Sequence, residues 1–188
     1  MIWLILGLFI WIDIHLIPIL FPALCDKLRT HLGKAYQGLF ALAIVAGVIL
    51  IVVGWRNTLP LPVYDPPSWG KAANMVLMFV AILLLGAGSS KGISRIKQYV
   101  RHPMLTGVMV WSIGHLLANG DIRSIILFAS MGIWAVLSQV TINQREGAWQ
   151  KPTEIATMKR ESILLAITVV VYLLLFSGHR WFAGVAVV

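Results

Sequence analysis

Charge is what this sequence has least of. Only 12% of its 188 residues are Asp, Glu, Lys or Arg, against 59% hydrophobic residues. A soluble globular domain runs at about 25% charged and about 45–50% apolar, so the shortage excludes an ordinary soluble fold, as does the mean hydropathy of +0.87. Acids are the scarcer sign, seven Asp and Glu against fifteen Lys and Arg. The single cysteine, Cys25, excludes an intrachain disulfide and says nothing about compartment. No Lys or Arg precedes the first apolar run and no small-residue cleavage site follows it, so that run reads as a retained helix and not a signal peptide. Nor are the basic residues concentrated in one patch. They lie in short connectors between hydrophobic runs, where they act as membrane topology signals and do not suggest nucleic acid.

What is present is a series of apolar runs near the roughly 20 residues that cross a bilayer. Six are expected, at residues 2–21, 36–54, 72–86, 103–119, 122–142 and 163–176. They predict an all-α, six-helix polytopic transmembrane bundle, a single domain over residues 1–188. Residues 25–34 read as a basic connector. Residues 57–70 hold Pro60, Pro62, Pro66 and Pro67, which exclude a helix there and predict an ordered loop at the membrane surface. Pro103 suits the first turn of the fourth span, where its missing N–H costs nothing, and Asp121 suits the cap of the fifth. Connectors one, three and five carry eleven of the Lys and Arg residues, Lys91 among them, and the opposite side carries four. The positive-inside rule then puts the odd connectors in the cytoplasm and both termini on the non-cytoplasmic side.

The informative stretch is Arg95 to Asp121. A basic lead-in meets Arg101-His102-Pro103, an apolar run follows, and His115 stands near its far end. An unpaired imidazole in hydrocarbon is costly, so His115 and His15, inside the first span, stand out. Two imidazoles on facing helices suit a haem iron. Equally, each can donate to a backbone carbonyl and only tie helices together. At about 1.5 Å per residue, His15 lies about 10 Å from the cytoplasmic end of its span and His115 about 18–20 Å from it, a mismatch that only a tilted planar cofactor would bridge. Asp13 is the one carboxylate well inside a span. It needs a partner from another helix, with His115 and Arg180 as candidates. It either orients a ligand histidine or relays protons, or it sits at the edge of a wet crevice. Arg101 and His102 face lipid phosphates or grip an anionic group at a helix start. His179 with Trp181 reads as an anchor of the last helix at the outer surface.

The block from Arg101-His102-Pro103-Met104-Leu105 through Gly107-x-x-x-Trp111-x-x-x-His115 to Asn119-Gly120-Asp121 resembles the NnrU family of bacterial membrane proteins. His15-Leu16, Gly33-x-x-Tyr36-x-Gly38-Leu39-Phe40, Pro66-Pro67-x-Trp69 and His179-Arg180-Trp181-Phe182 support the resemblance, which covers essentially the whole chain. It implies a multi-pass protein of the bacterial inner membrane, associated in denitrifying bacteria with nitrite and nitric oxide metabolism. That family is similar to 15-cis-zeta-carotene isomerase, which binds haem b and isomerises a double bond when the iron is reduced. The resemblance places its axial histidines at His15 and His115; with haem b there, Arg101 and His102 are positioned to meet propionates or a polar substrate end at the inner surface, and Asp13 to set the hydrogen bonding of a ligand histidine. The alternate cysteine ligand of that enzyme falls at Ser112, and a serine hydroxyl is a poor iron ligand. The implied partners are membrane lipid and a hydrophobic small-molecule substrate. Arg101-His102-Pro103 with Gly107 also looks like the isoprenylcysteine carboxyl methyltransferase group, which uses S-adenosylmethionine. There a tyrosine usually stands at the position of Leu105, and a pair of adjacent glutamates at a segment that here reads Arg145-Glu146-Gly147. A non-catalytic membrane scaffold or assembly factor is a third reading.

Overall fold

The computed structural model describes residues 1–89, 94–185 and 187, with the side chain of Phe182 left out. Lys91, counted above with the third connector, lies outside the described residues. The described residues are all-helical with no strand. In chain order the helices are α1 (Ile2–Leu20), α2 (Pro22–Leu32), α3 (Lys34–Arg56), α4 (Gly70–Ser89), α5 (Pro103–Ala118), α6 (Ile122–Glu146) and α7 (Met158–Ala183). Five of them, α1, α3, α4, α6 and α7, are long and apolar enough to cross a membrane. The remaining apolar helix, α5, has 16 residues. At 1.5 Å per residue that is about 24 Å, short of a hydrocarbon core of about 30 Å. Its length is set by its ends: Pro103 opens it and the Asn119-Gly120-Asp121 turn closes it.

The basic connector at 25–34 lies between two candidate spans, α1 and α3, and is itself mostly helical: it is helix α2, opened by Pro22 in its first turn. Its apolar and polar residues are segregated to two faces, a pattern hidden when the stretch is scanned for charge alone. The helices α4, α6 and α7 also run past the expected apolar cores, because a helix continues beyond the hydrocarbon for as long as its polar residues keep helical geometry.

The chain divides into two compact units, Met1–Leu61 and Pro62–Val188. In the first, α1 and α3 pack antiparallel. The N-terminal ammonium donates to Thr58 Oγ1 at 2.6 Å, and that hydroxyl donates to the Gly54 carbonyl at 2.7 Å. A side chain at Gly54 would strike the Leu4 backbone, so the two helices touch main chain to main chain. Close approach through small residues is how helices gain contact where lipid offers no hydrophobic drive.

The second unit is built on the antiparallel pair α4 and α5. A Cβ at Gly107 would lie 3.0 Å from the Ala81 carbonyl oxygen. Helix α7 packs on α4, with Phe79 and Tyr172 edge to face at 5.8 Å. Helix α6 starts from Asp121, whose carboxylate accepts from the Ser124 amide and hydroxyl at 3.1 and 2.6 Å, as the sequence predicts. Its second turn, Ile125–Ala129, is a π-type turn. Such turns are rare and frequent at functional sites.

Candidate functional site

His15 and His115 are set up alike by their own helices. In α1 the His15 Nδ1–H donates to the Trp11 carbonyl at 2.7 Å, and the imidazole stacks on the Trp11 ring at 3.8 Å. In α5 the His115 Nδ1–H donates to the Trp111 carbonyl at 3.0 Å, with the Trp111 ring 5.2 Å away. Each bond fixes the tautomer and places the lone pair on Nε2. A backbone carbonyl on the far nitrogen is the usual arrangement for a metal-ligating histidine. It is also the bond that a purely helix-tying histidine would make, so this geometry fits both readings given above.

Within the second unit, three rings gather around His115. Its ring stacks on Phe128 at 4.3 Å and 21°. Phe128 is buried and belongs to the π-type turn. On α7 the His179 ring lies 6.5 Å from that of His115, 22° from parallel. The His179 Nδ1–H donates to the Val185 carbonyl at 2.7 Å, so its lone pair also falls on Nε2. The expectation that His179 serves as a surface anchor is thus incomplete, because the fold brings it alongside His115. Two imidazoles sharing one metal ion through Nε2, at about 2.0–2.1 Å each, have centroids about 6 Å apart.

The C-terminal end of α5 is held by the proline-rich loop. The Val63 and Tyr64 amides donate to the Gly120 carbonyl at 2.8 and 3.1 Å, and Pro62 pairs with Asp121 as an isolated antiparallel bridge. The Tyr64 hydroxyl meets the Leu116 and Asn119 carbonyls, the first in a very short hydrogen bond and the second at 2.9 Å. Carbonyls of a last helical turn have no intrahelical partners, so Tyr64 acts as a cap. Gly120 is required here, since a Cβ would collide with the Tyr64 carbonyl. Asn119 closes the same turn by donating from its amide and its Nδ2 to the His115 carbonyl, both at 2.9 Å.

At the other end of α5, Arg101 and His102 are engaged by the second unit itself. Arg101 donates to the Gly147 carbonyl at 2.7 Å and pairs with Glu146 at 3.1 Å. His102 Nε2 lies 2.8 Å from Asn143 Oδ1. Arg95 and Gln98 reach the Ala156 and Pro152 carbonyls at 3.3 and 2.7 Å. The lead-in to α5 is therefore laced to the end of α6 and to the connector that follows it. In the first unit Asp13 is half-buried and has no hydrogen-bond or ion-pair partner there among the described residues.

Among the described residues no three His, Cys, Asp or Glu side chains converge to hold a bare metal ion. The donors on offer are single imidazoles. The model of the NnrU protein family matches residues 3–187.

The chain belongs to the NnrU family. No curated protein and no solved structure matches it. The NnrU match runs through both units and covers every candidate residue named so far. The sequence carried one further signal that was missed: tryptophan stands four residues before both in-span histidines, Trp11 before His15 and Trp111 before His115. The place of His179 had no such signal, because it depends on how α7 packs.

Proposed function

We propose that this NnrU-family membrane protein binds haem b, with His15 and His115 as the iron ligands. The observation that supports this is the shared Trp-x-x-x-His arrangement, which leaves Nε2 of both imidazoles as the ligating nitrogen. The donor chemistry fits a two-histidine haem. Bound haem would supply a reducible iron able to act as a Lewis acid. The chain's own residues would do the rest. The Trp11 and Trp111 carbonyls hold the two tautomers, and Phe128 fixes the plane of the His115 ring. Arg101 and His102 stand at the opposite end of α5, about 20 Å along the helix from His115, and would hold the lead-in of that helix to Glu146 and Asn143 and not the cofactor. Asp13 would take no part in the ligands' hydrogen bonding, since both Nδ1 atoms already donate to tryptophan carbonyls and both Nε2 atoms would hold the iron. Ser112 offers no thiolate, so the ligand exchange of the carotene isomerase is not built in.

The proposal extends to setting. Residues 1–188 work as one domain of six spans, α5 being the short one, with both termini on the non-cytoplasmic side of a bacterial inner membrane. The role is a redox or nitric oxide-responsive centre in denitrification, or isomerase-like chemistry on a hydrophobic substrate. The test is an absorption spectrum of the purified protein before and after dithionite, with haem precursor supplied during expression. A Soret band with sharp reduced α and β bands is expected, and His115→Ala should lose most of the haem while still inserting. A featureless spectrum, or full occupancy in that variant, would remove the assignment.

A second reading is favoured by the cluster of Arg101 and His102 with Glu146 and Asn143, polar groups gathered at one end of α5 and α6. It is methyl transfer from S-adenosylmethionine. It requires binding of that cofactor by calorimetry and loss of binding in Arg101→Ala.

A further inference from the structure

Helix α2 is joined to its neighbours with no slack. Phe21 alone separates it from α1, and Gly33, at a φ of +55°, alone separates it from α3. The two long helices are antiparallel, and His15 of α1 meets Phe40 of α3 with ring centroids 6.0 Å apart. From that level α1 runs on for five residues to Leu20 and α3 reaches back six residues to Lys34, about 8 Å and about 9 Å along their axes. Both ends of α2 therefore lie at nearly one depth. With α1 and α3 crossing the bilayer, α2 lies along its surface.

The residues of α2 are sorted for that place. Leu24, Leu28 and Leu32 repeat every fourth residue and form one stripe, 37–49% exposed, with Phe21 exposed at its entry. At 3.6 residues per turn, Leu24 and Leu32 stand about 40° from Leu28 and Cys25 about 60° from it. Cys25 is the one buried residue of α2 and meets the Tyr36 hydroxyl of α3, so the stripe side turns toward the spans and not away into water. Lys27 and Arg29 stand about 100° to either side of Leu28, and Asp26 about 160° away. Arg29 is held at its border, 5.6 Å from the centre of the Tyr36 ring and 3.5 Å from Asp26. Cations at both borders of an apolar stripe, with the acid behind, suit a helix lying in a membrane interface. The leucines enter the acyl chains while the long basic stems reach the phosphates. Across residues 22–34 the cations Lys27, Arg29 and Lys34 meet one acid, so the headgroups that fit are anionic.

We propose that α2 is a docking surface for anionic lipid, with Leu24, Leu28 and Leu32 among the acyl chains and Lys27 and Arg29 on the headgroup phosphates. The proposal rests on α1 and α3 crossing the bilayer and is independent of the haem assignment. In this arrangement α2 ties the end of the His15 helix to the headgroup layer.

The test uses the full chain in phosphatidylcholine vesicles, with single cysteines placed by Leu28→Cys, Asp26→Cys and Val45→Cys in a Cys25→Ser background and labelled with bimane. Acrylamide quenches from water, and lipid carrying a nitroxide near the glycerol or at the chain end quenches from the bilayer. The label at position 28 should be quenched by the shallow nitroxide and shielded from acrylamide, and that at position 26 the reverse. The label at position 45, on the exposed face of α3, should be quenched by the deep nitroxide; its failure to respond would remove the spanning reading itself. Acrylamide reaching position 28 as readily as position 26 would show a helix standing off the bilayer. Shielding of position 28 from both quenchers would show a protein cover. Either result overturns the proposal. The headgroup is tested at position 28 with nitroxide-labelled phosphatidylglycerol against labelled phosphatidylcholine. Phosphatidylglycerol should be preferred, and Lys27→Gln and Arg29→Gln should each lower its relative association constant about fivefold. An unchanged preference in the double variant would overturn the charge recognition.

Discussion

Replacing Tyr64 by Phe removes one oxygen and tests how the proline-rich loop holds the helix that carries His115. The hydroxyl has a single hydrogen, shared between the Leu116 and Asn119 carbonyls. One hydrogen bond is worth about 1 kcal/mol net. The carbonyls left behind are near the surface, since Tyr64 is 38% exposed, and water can reach them. The cost should therefore stay near about 1–2 kcal/mol and not reach the full penalty of a buried orphan. The Val63 and Tyr64 amides report on the latch because both bond to Gly120. Their hydrogen exchange should quicken about tenfold, the equivalent of about 1.4 kcal/mol, while amides in the middle of α4 keep their rates. The wild-type latch should also respond to alkali. Burial, and secondarily the Asp121 carboxylate, raise the Tyr64 pKa above its ordinary value of 10.0. The neutral phenol is thus favoured in the fold. Its contribution is fully present below about pH 10 and is lost as the pH rises through the raised folded value. Unchanged exchange at Val63 and Tyr64 in Tyr64→Phe would refute the capping role.

Three other outcomes are expected. Arg101→Ala removes the bonds to Gly147 and Glu146 from a side chain only 18% exposed. It should cost about 1–3 kcal/mol and speed proteolytic cleavage of the connector 147–157; cleavage at the wild-type rate would show that the lacing carries no stability. His15→Ala and His179→Ala separate two possible partners of His115 in a haem-loaded protein: the first should turn a low-spin spectrum high-spin and the second should not, and the reverse would transfer the ligand role to His179. Single cysteines placed by Ser68→Cys and Thr153→Cys in a Cys25→Ser background test the topology. Only the first should react with an impermeant reagent from outside intact spheroplasts, and labelling of Thr153→Cys alone would invert the proposed orientation.

What could be read from the sequence follows from the range of each interaction. Asp121 as a cap, Pro103 as a first-turn residue and the proline-rich loop are decided within a few residues, and all three appear as expected. The connector 25–34 lies between two spans as expected, but its helicity is not decided by its charge; it shows only in the fall of its charged residues on one side of α2. The tautomers of His15 and His115 were legible in principle, since the carbonyl four residues back is always within reach of a helical side chain. What no local pattern could supply is the environment of His115. Phe128 reaches it through a π-type turn with no sequence signature, and His179 stands more than sixty residues further along the chain.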